Sequence, residues 1–262
     1  MPGIIRPVRP PILTPTRGAG SLAPPYADQG GGSAWSPSKL GANLTLWIKE
    51  TSLVGSPIDS MTNLGTAGGA FSATLTARAT VATVNGLSAA VFDGTNTTEG
   101  SGPGELNVVT STSAYSFVLA LKVNGLSATA ATSGWLEPNL LQDTATGSLY
   151  PVAITTVGVR SGHFDGVDKQ TTETAVTLGT LYAMAVTYDG TNVTQYLNGG
   201  SKTVAAGAVS HATANALRLG ASQGNLKVNV TLAELIGVNR FLTAAEVATA
   251  RQYLVNKWGA TL

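Results

Sequence analysis

The chain contains no cysteine. Disulfide frameworks and thiolate metal sites are thereby excluded, and a reducing compartment suits such a chain. Charge is also scarce. Asp, Glu, Lys and Arg make up 11% of the residues, where an average globular chain carries roughly 25%. Histidine occurs twice, at His163 and His211, in unrelated contexts, which gives no basis for a Ser-His-Asp arrangement. No apolar run approaches the ~20 residues of a membrane-spanning helix. The opening "MPGIIRPVRPPILTP" is broken by proline and arginine before it reaches the apolar length of a signal peptide. The net charge is +1 and the Lys and Arg residues are scattered. With no basic stripe, neither nucleic acid nor an anionic membrane is expected as a partner. The phosphate-loop pattern G-x-x-x-x-G-K-[ST] and the zinc pattern H-E-x-x-H are both missing.

Thr, Ser, Asn, Ala and Gly stand where the charges would be. A composition poor in Lys and Glu suits many short strands and turns better than long helices. A weakly charged surface repels its neighbours little and fits a subunit packed in an assembly. A free-standing β protein with Thr-rich outer faces accounts for the composition equally well.

Residues 1–34 are a different polymer from the rest. Pro2, Pro7, Pro10, Pro11, Pro15, Pro24 and Pro25 are seven of the twelve prolines, and "GGGS" ends the stretch. Proline favours extended backbone and the glycines form a joint. At about 3.1 Å per residue this arm reaches roughly 100 Å. A free tail is one reading. An arm laid along a partner or along its own domain is the other, since the segment has no core of its own to offset its conformational entropy. The partner-binding residues are then Ile4, Ile5, Arg6, Val8, Arg9, Ile12, Leu13 and Arg17.

From Trp35 onward the pattern is β. "LTLWIK" (44–49) alternates. "YSFVLALKV" (115–123) is apolar on both faces and predicts a central strand. "LSAAVFDG" (87–94), "LYPVAITTVGVRSG" (149–162), "LYAMAVTYDG" (181–190), "VTQYLNG" (193–199) and "VTLAELIGVNR" (230–240) are further strand segments, several of them separated by Asp-Gly or Asn-Gly turns. In "AVTYDGTNVTQYLNGG" (185–200) the Asp189–Asn192 corner carries hairpin chemistry rather than that of a strained nucleophile loop. Only "LTAAEVATARQYLVNKWG" (242–259) reads as a helix. Thr243 and Glu246 have capping-box spacing, Leu242 and Val247 occupy staple positions, and Gly259 is placed to end it. Val247, Ala250, Leu254 and Trp258 share one face, which should pack on the sheet.

These segments carry a resemblance. "MAVTYDGTNVTQYLNGG" resembles the central hairpin of laminin-G-like domains with the concanavalin A-like jelly-roll fold. "NGLSAAVFDGTN" (85–96) and "LAELIGVNRFLTAAEVATARQYLVNKWG" (232–259) are similar to segments of the bacterial and bacteriophage members, and "WSPSKLGANLTLWI" (35–48) to their start. The resemblance implies an all-β antiparallel jelly-roll sandwich over residues 35–262, ending in a helix over 243–258. It further implies a surface that binds glycans or proteins, in some members with calcium at a loop. Such members often carry an acid shortly after the Phe-Asp-Gly turn; here Thr95, Asn96, Thr97 and Thr98 follow, with Glu99 only later.

Glucan-cleaving enzymes of this fold carry Glu-x-Asp-x-x-Glu on one strand, so that the acids flank one glycosidic bond. No such run exists here. Glu99 and Glu105 are separated by Gly and Pro, Asp165 and Asp168 lie in a turn, and Glu234 stands alone in an apolar strand. No catalytic residues are assigned. Asp93, Asp143 and Asp189 are candidate calcium acids, though turn chemistry explains each and no cofactor is assigned. For a glycan surface the richest region is 133–166, with Trp135, Glu137, Asn139, Asp143, Arg160 and His163. The expectation is a non-enzymatic structural protein of a phage virion, in a homo- or hetero-oligomeric assembly. The arm would anchor it to other virion proteins as a capsid decoration, head fibre or tail-associated module. The sandwich would face host glycans. The alternatives are a bacterial surface lectin domain and a glycoside hydrolase.

Overall fold

The computed structural model describes residues 35–72, 78–94, 105–106, 114–128, 138–143, 149–209, 217–220 and 226–262. The chain divides into two units, Met1–Ser33 and Ala34–Leu262. The partner-binding residues expected between Ile4 and Arg17 lie outside the described residues.

Strands are numbered in chain order. The larger sheet runs β16 (Gly200–Ala205), β15 (Asn192–Leu197), β14 (Leu181–Tyr188), β8 (Tyr115–Gly125), β18 (Asn229–Val238), β6 (Leu87–Asp93) and β5 (Thr80–Val84), with β1 (Leu44–Ile48) also paired to β18. The second sheet runs β12 (Asp168–Gln170), β11 (Gly158–Phe164), β10 (Leu149–Ile154), β9 (Asn139–Asp143), β17 (Leu217–Leu219) and β7 (Glu105–Leu106), and β13 (Thr174–Ala175) also pairs β11. A small third sheet joins β2 (Leu53–Val54), β3 (Ser60–Thr62) and β4 (Ala70–Ser72). Neighbouring strands pair antiparallel throughout, for example β8 with β14 and with β18.

Alternation along β8 explains its central place. Tyr115, Phe117, Leu119, Leu121 and Val123 enter the core between the sheets. Val118 and Ala120 point the other way, toward the C-terminal α-helix α1 (Ala244–Trp258). In β14, Tyr182, Met184, Val186 and Tyr188 face the core and Ala183 and Ala185 face the helix. The helix side is built largely from alanine, with Ala89 and Ala233 adding to Ala120, Ala183 and Ala185. Small side chains let the helix lie close to the sheet. Its apolar stripe Val247, Ala250, Leu254 and Trp258 is buried there, as its spacing predicts. The Thr243–Glu246 capping box forms, and Gly259 ends the helix at φ 68°.

The 185–200 segment is a hairpin. Tyr188 pairs with Val193, and the Asp189 amide donates to the Asn192 carbonyl at 3.3 Å. Val193, Gln195 and Leu197 are buried while Thr194 and Tyr196 are half-buried. Asn198 at φ 53° and Gly199 at φ 73° then turn the chain into β16.

β18 departs from strict alternation. Leu232 pairs with Leu121, but Ala120 pairs with Glu234, leaving Ala233 as an extra residue. Such a bulge shifts the side-chain phase by one. Leu235 therefore enters the inter-sheet core after Leu232. Glu234, which unbroken alternation would drive between the sheets, turns instead toward the helix.

Candidate functional site

Trp135, Glu137 and the Asp143 side chain lie outside the described residues. Ala153 pairs with Asn139 on one side and with Arg160 on the other, so these two share a face of the second sheet. Their neighbours Val152 and Ile154 enter the core, which puts the shared face on the outer side of the sheet. Asn139 is fully buried and Arg160 half-buried. His163 does not join them. An odd number of residues along a strand reverses the face, and His163 pairs with the core residue Leu149. The imidazole expected at a rim is completely buried.

It belongs to an interior hydrogen-bond network. Nε2 lies 2.9 Å from the Gly207 carbonyl, which can only accept, so Nε2 carries the proton. Nδ1 then accepts from the Tyr115 hydroxyl at 3.0 Å. Tyr188 donates to the same Gly207 carbonyl at 2.6 Å, and its ring stands edge-on to His163 at 4.7 Å between centroids. Burial, and next the neighbouring Tyr188, push the Tyr115 hydroxyl far above its usual range, so it is a fixed donor. The network ties the 206–209 segment to the core.

The acids are similarly committed. Glu234, fully buried, was expected to stand alone; it is instead a hub. Its Oε1 accepts from Trp47 Nε1 at 2.7 Å and from the Tyr253 hydroxyl at 3.1 Å. Its Oε2 accepts from Trp258 Nε1 and Lys257 Nζ, each at 2.7 Å. The Lys257 ammonium also lies 2.7 Å from Glu50 Oε2. That contact is an ion pair without hydrogen-bond geometry, since Glu50 Oε2 has no hydrogen-bond partner. Asp168 takes the Tyr150 hydroxyl and the Gln170 amide. Burial and then that Asp168 bond raise the Tyr150 hydroxyl far above its usual range. Slight burial pushes the Asp165 carboxyl up, but hydrogen bonds from the Gly207 and Val167 amides and the charge of Lys169 outweigh it, leaving the group below its ordinary value. Asp189 accepts from the amides of Thr191 at 2.8 Å and Asn192 at 2.7 Å within its own turn. Asp93 acts electrostatically on Lys227. Among the described residues no three His, Asp or Glu side chains gather as a metal site requires.

Between β13 and the β15–β16 hairpin the sheet edges leave a cleft of about 210 Å³, lined in part by Thr174, Gln195, Asn198 and Lys202. Its floor is satisfied internally. Gln195 accepts from Thr174 at 2.6 Å and donates to Ser161 at 3.0 Å. Lys202 reaches across the mouth to the Glu173 carbonyl. Small-molecule pockets usually start near ~300 Å³, so this is a gap between sheet edges.

Residues 154–248 match the family Laminin_G_3, described as the Concanavalin A-like lectin/glucanases superfamily. The match takes in the 185–200 hairpin, β18 and the start of α1; the segments at 35–48 and 85–96 fall outside it. Comparison with curated proteins finds no match. Among solved structures, domain 4 of AbnA, a GH43 extracellular arabinanase from Geobacillus stearothermophilus in complex with arabinotriose, is 16% identical over 80% of this chain and 98% of that one, with a TM-score of 0.53. The binding domain of Paraclostridial Mosquitocidal Protein 1 is 12% identical over 85% of this chain and 56% of that one, with a TM-score of 0.55. Trypanosoma rangeli sialidase in complex with the inhibitor DANA is 13% identical over 79% of this chain, with a TM-score of 0.53. The chain spans only 32% of the sialidase. At these identities the likeness is one of fold. The body of this protein is thus a laminin-G-like, concanavalin A-like jelly-roll sandwich, with the family's sequence pattern carried by residues 154–248.

Proposed function

We propose that this protein is a non-enzymatic glycan-binding display module, carried on a phage virion by its N-terminal segment. The observation that supports the non-enzymatic part is the engagement of four of the carboxylates among the described residues. Glu234, Asp165, Asp168 and Asp189 each accept hydrogen bonds that hold strands, turns or the helix in place. A glycosidase needs one carboxyl to donate a proton and another facing it across about 5–9 Å of substrate; these four acids, committed to the scaffold, supply neither. Glycan binding is supported by the lectin-type family pattern and by the arabinotriose-bound domain of the same fold. Fold alone does not fix function, so the reading is tested directly. Wild-type protein on an array of bacterial surface glycans should bind at least one above background, and the same glycans in solution should remain uncleaved.

The virion role rests on the composition of residues 1–34, on the low overall charge, and on the resemblance to phage members of the family. Anchoring through Ile4, Ile5, Val8, Ile12 and Leu13, with Arg6, Arg9 and Arg17 beside them, predicts that removal of residues 1–34 abolishes incorporation into particles and leaves the sandwich folded. A second reading, a lectin domain of a bacterial surface protein, is favoured by the likeness to a domain of an extracellular arabinanase. It predicts glycan binding with no particle association.

A further inference from the structure

We infer that the free edge of β16 is a homodimer interface, at which a second copy of this chain adds its own β16, antiparallel, about a two-fold axis at Thr203. This interface is independent of what the sandwich binds. Among the described residues β16 ends the larger sheet and pairs only with β15. The two-residue turn between them, Asn198 and Gly199 at positive φ, bonds Gly200 to Leu197 and fixes the parity of the strand. The Ala206 amide donates to the Thr191 carbonyl at 2.8 Å, in the same phase. Gly200, Lys202 and Val204 therefore bond to β15, while Ser201, Thr203 and Ala205 hold their N–H and C=O groups outward. All three of these residues are exposed.

An edge of this kind is a template for another strand unless it is blunted. β16 carries no proline, and its pairing with β15 runs without a bulge. Its one charge, Lys202, is drawn inward to the Glu173 carbonyl of the same copy. β5 and β12, at other sheet ends, are poorer templates. By the same parity β5 turns outward only Val81 and Thr83, and the Ala79 carbonyl just before it accepts from Ile58. β12 has three residues, two of them charged. The β16 edge is also complementary to itself. On the face that carries α1, Ser116, Thr187, Thr194 and Thr203 stand in register as a row of hydroxyls across four strands. Thr194 and Thr203 are hydrogen-bonded at 3.0 Å, and there the row meets the free edge. A second β16 about the two-fold sets Thr203 against its own counterpart and Ser201 against Ala205, each pair exchanging two backbone hydrogen bonds. The hydroxyl row then continues into the second copy through a Thr–Thr pair. Lys202 falls opposite Val204, so no like charges face each other directly. With a net charge of +1 on the whole chain, two copies approach with little repulsion.

The test is the solution mass of the full chain, by light scattering and sedimentation, for wild type and three variants. Thr203→Pro removes an outward N–H that β15 does not use, a change an edge strand tolerates. Thr203→Glu and Thr203→Lys each set like charges against each other across the two-fold. Wild type is expected at the mass of two copies and each variant at the mass of one, with melting temperatures close to wild type. An equimolar mixture of Thr203→Glu and Thr203→Lys should return to the mass of two, because opposite charges then meet at the axis. Amide exchange reads the register: Ser201 and Ala205 should exchange at least about tenfold more slowly in wild type than in Thr203→Glu, while Lys202 and Val204 keep the same protection in both. If Thr203→Pro does not fold, the two charge variants carry the test. A wild type of single-copy mass overturns the inference, including one whose edge takes up a strand of another protein. So does a two-copy wild type whose mass ignores the substitutions, since its interface then lies elsewhere.

Discussion

Trp258 donates its indole N–H to Glu234 at 2.7 Å, joining the last turn of the helix to a fully buried carboxylate at the bulge of β18. The same carboxylate gathers Trp47, Tyr253 and Lys257. One acid therefore fastens α1 and β1 to the central sheet. Glu234→Ala would remove one carboxylate partner of the largely buried Lys257 ammonium and the shared acceptor of Trp47, Tyr253 and Trp258. Breaking a buried pair from one side costs about 3–5 kcal/mol, and chemical denaturation should show a loss of that size. Glu234→Gln, which keeps an acceptor, should lose less.

Trp258→Ala should cost roughly 3–5 kcal/mol by removing a fully buried ring. Trp258→Phe keeps most of the packing and removes the donor, for about 1–3 kcal/mol. A double-mutant cycle of Trp258→Phe with Glu234→Ala should give less than the sum of the single effects, because each change removes the Trp258–Glu234 bond. An unchanged melting temperature in Trp258→Ala would contradict the docking of the helix.

The helix start makes stability depend on acid. Glu246 is held at a pKa of about 2, against an ordinary 4.5, first by the Arg240 guanidinium and then by the Thr243 amide. The folded value lies below the unfolded one. Its stabilising contribution is therefore complete above about pH 4.5 and fades as the pH falls toward 2. Unfolding free energy measured against pH should slope downward with acidification in that window, and Glu246→Gln should flatten the part due to this group.

Tyr115→Phe removes the hydroxyl that donates to His163 Nδ1 inside the core. A loss of about 1–3 kcal/mol is expected in denaturant titrations. Glycan binding should be unaffected, since the pair lies inside the sandwich. Gly237→Ala should also destabilise, because an added Cβ would lie 2.8 Å from Leu46 Cβ. Neither backbone can move without disturbing the β1–β18 pairing.

Much of this architecture was legible in the sequence because its causes are local. The capping box, the terminating Gly259 and the 185–200 hairpin depend on neighbours within a few residues, and the two apolar faces of β8 follow from period-two alternation. The role of Glu234 was not legible. Its partner Trp47 lies 187 residues away, and a lone acid in an apolar strand looks the same whether it meets solvent or a ring of donors. The phase shift at Ala233 was hidden for a related reason: alternation shows where a pattern breaks, not which residue bulges. His163 misled because its neighbours Arg160 and Asp165 suggest a polar surface, while its position in β11 turns it inward. The edge-to-face pair of Trp35 and Tyr253 was obscured by distance too. Trp35 and Tyr253 are more than two hundred residues apart, so no spacing rule links them.

The central claim, that this sandwich holds glycans without cutting them, is tested most directly by one assay on the full chain. Fluorescently labelled oligosaccharides matching the strongest array hit are incubated with the protein, and retention and product size are read together. The account predicts saturable retention of intact ligand. Shortened products that disappear on substitution of a single carboxylate would contradict it.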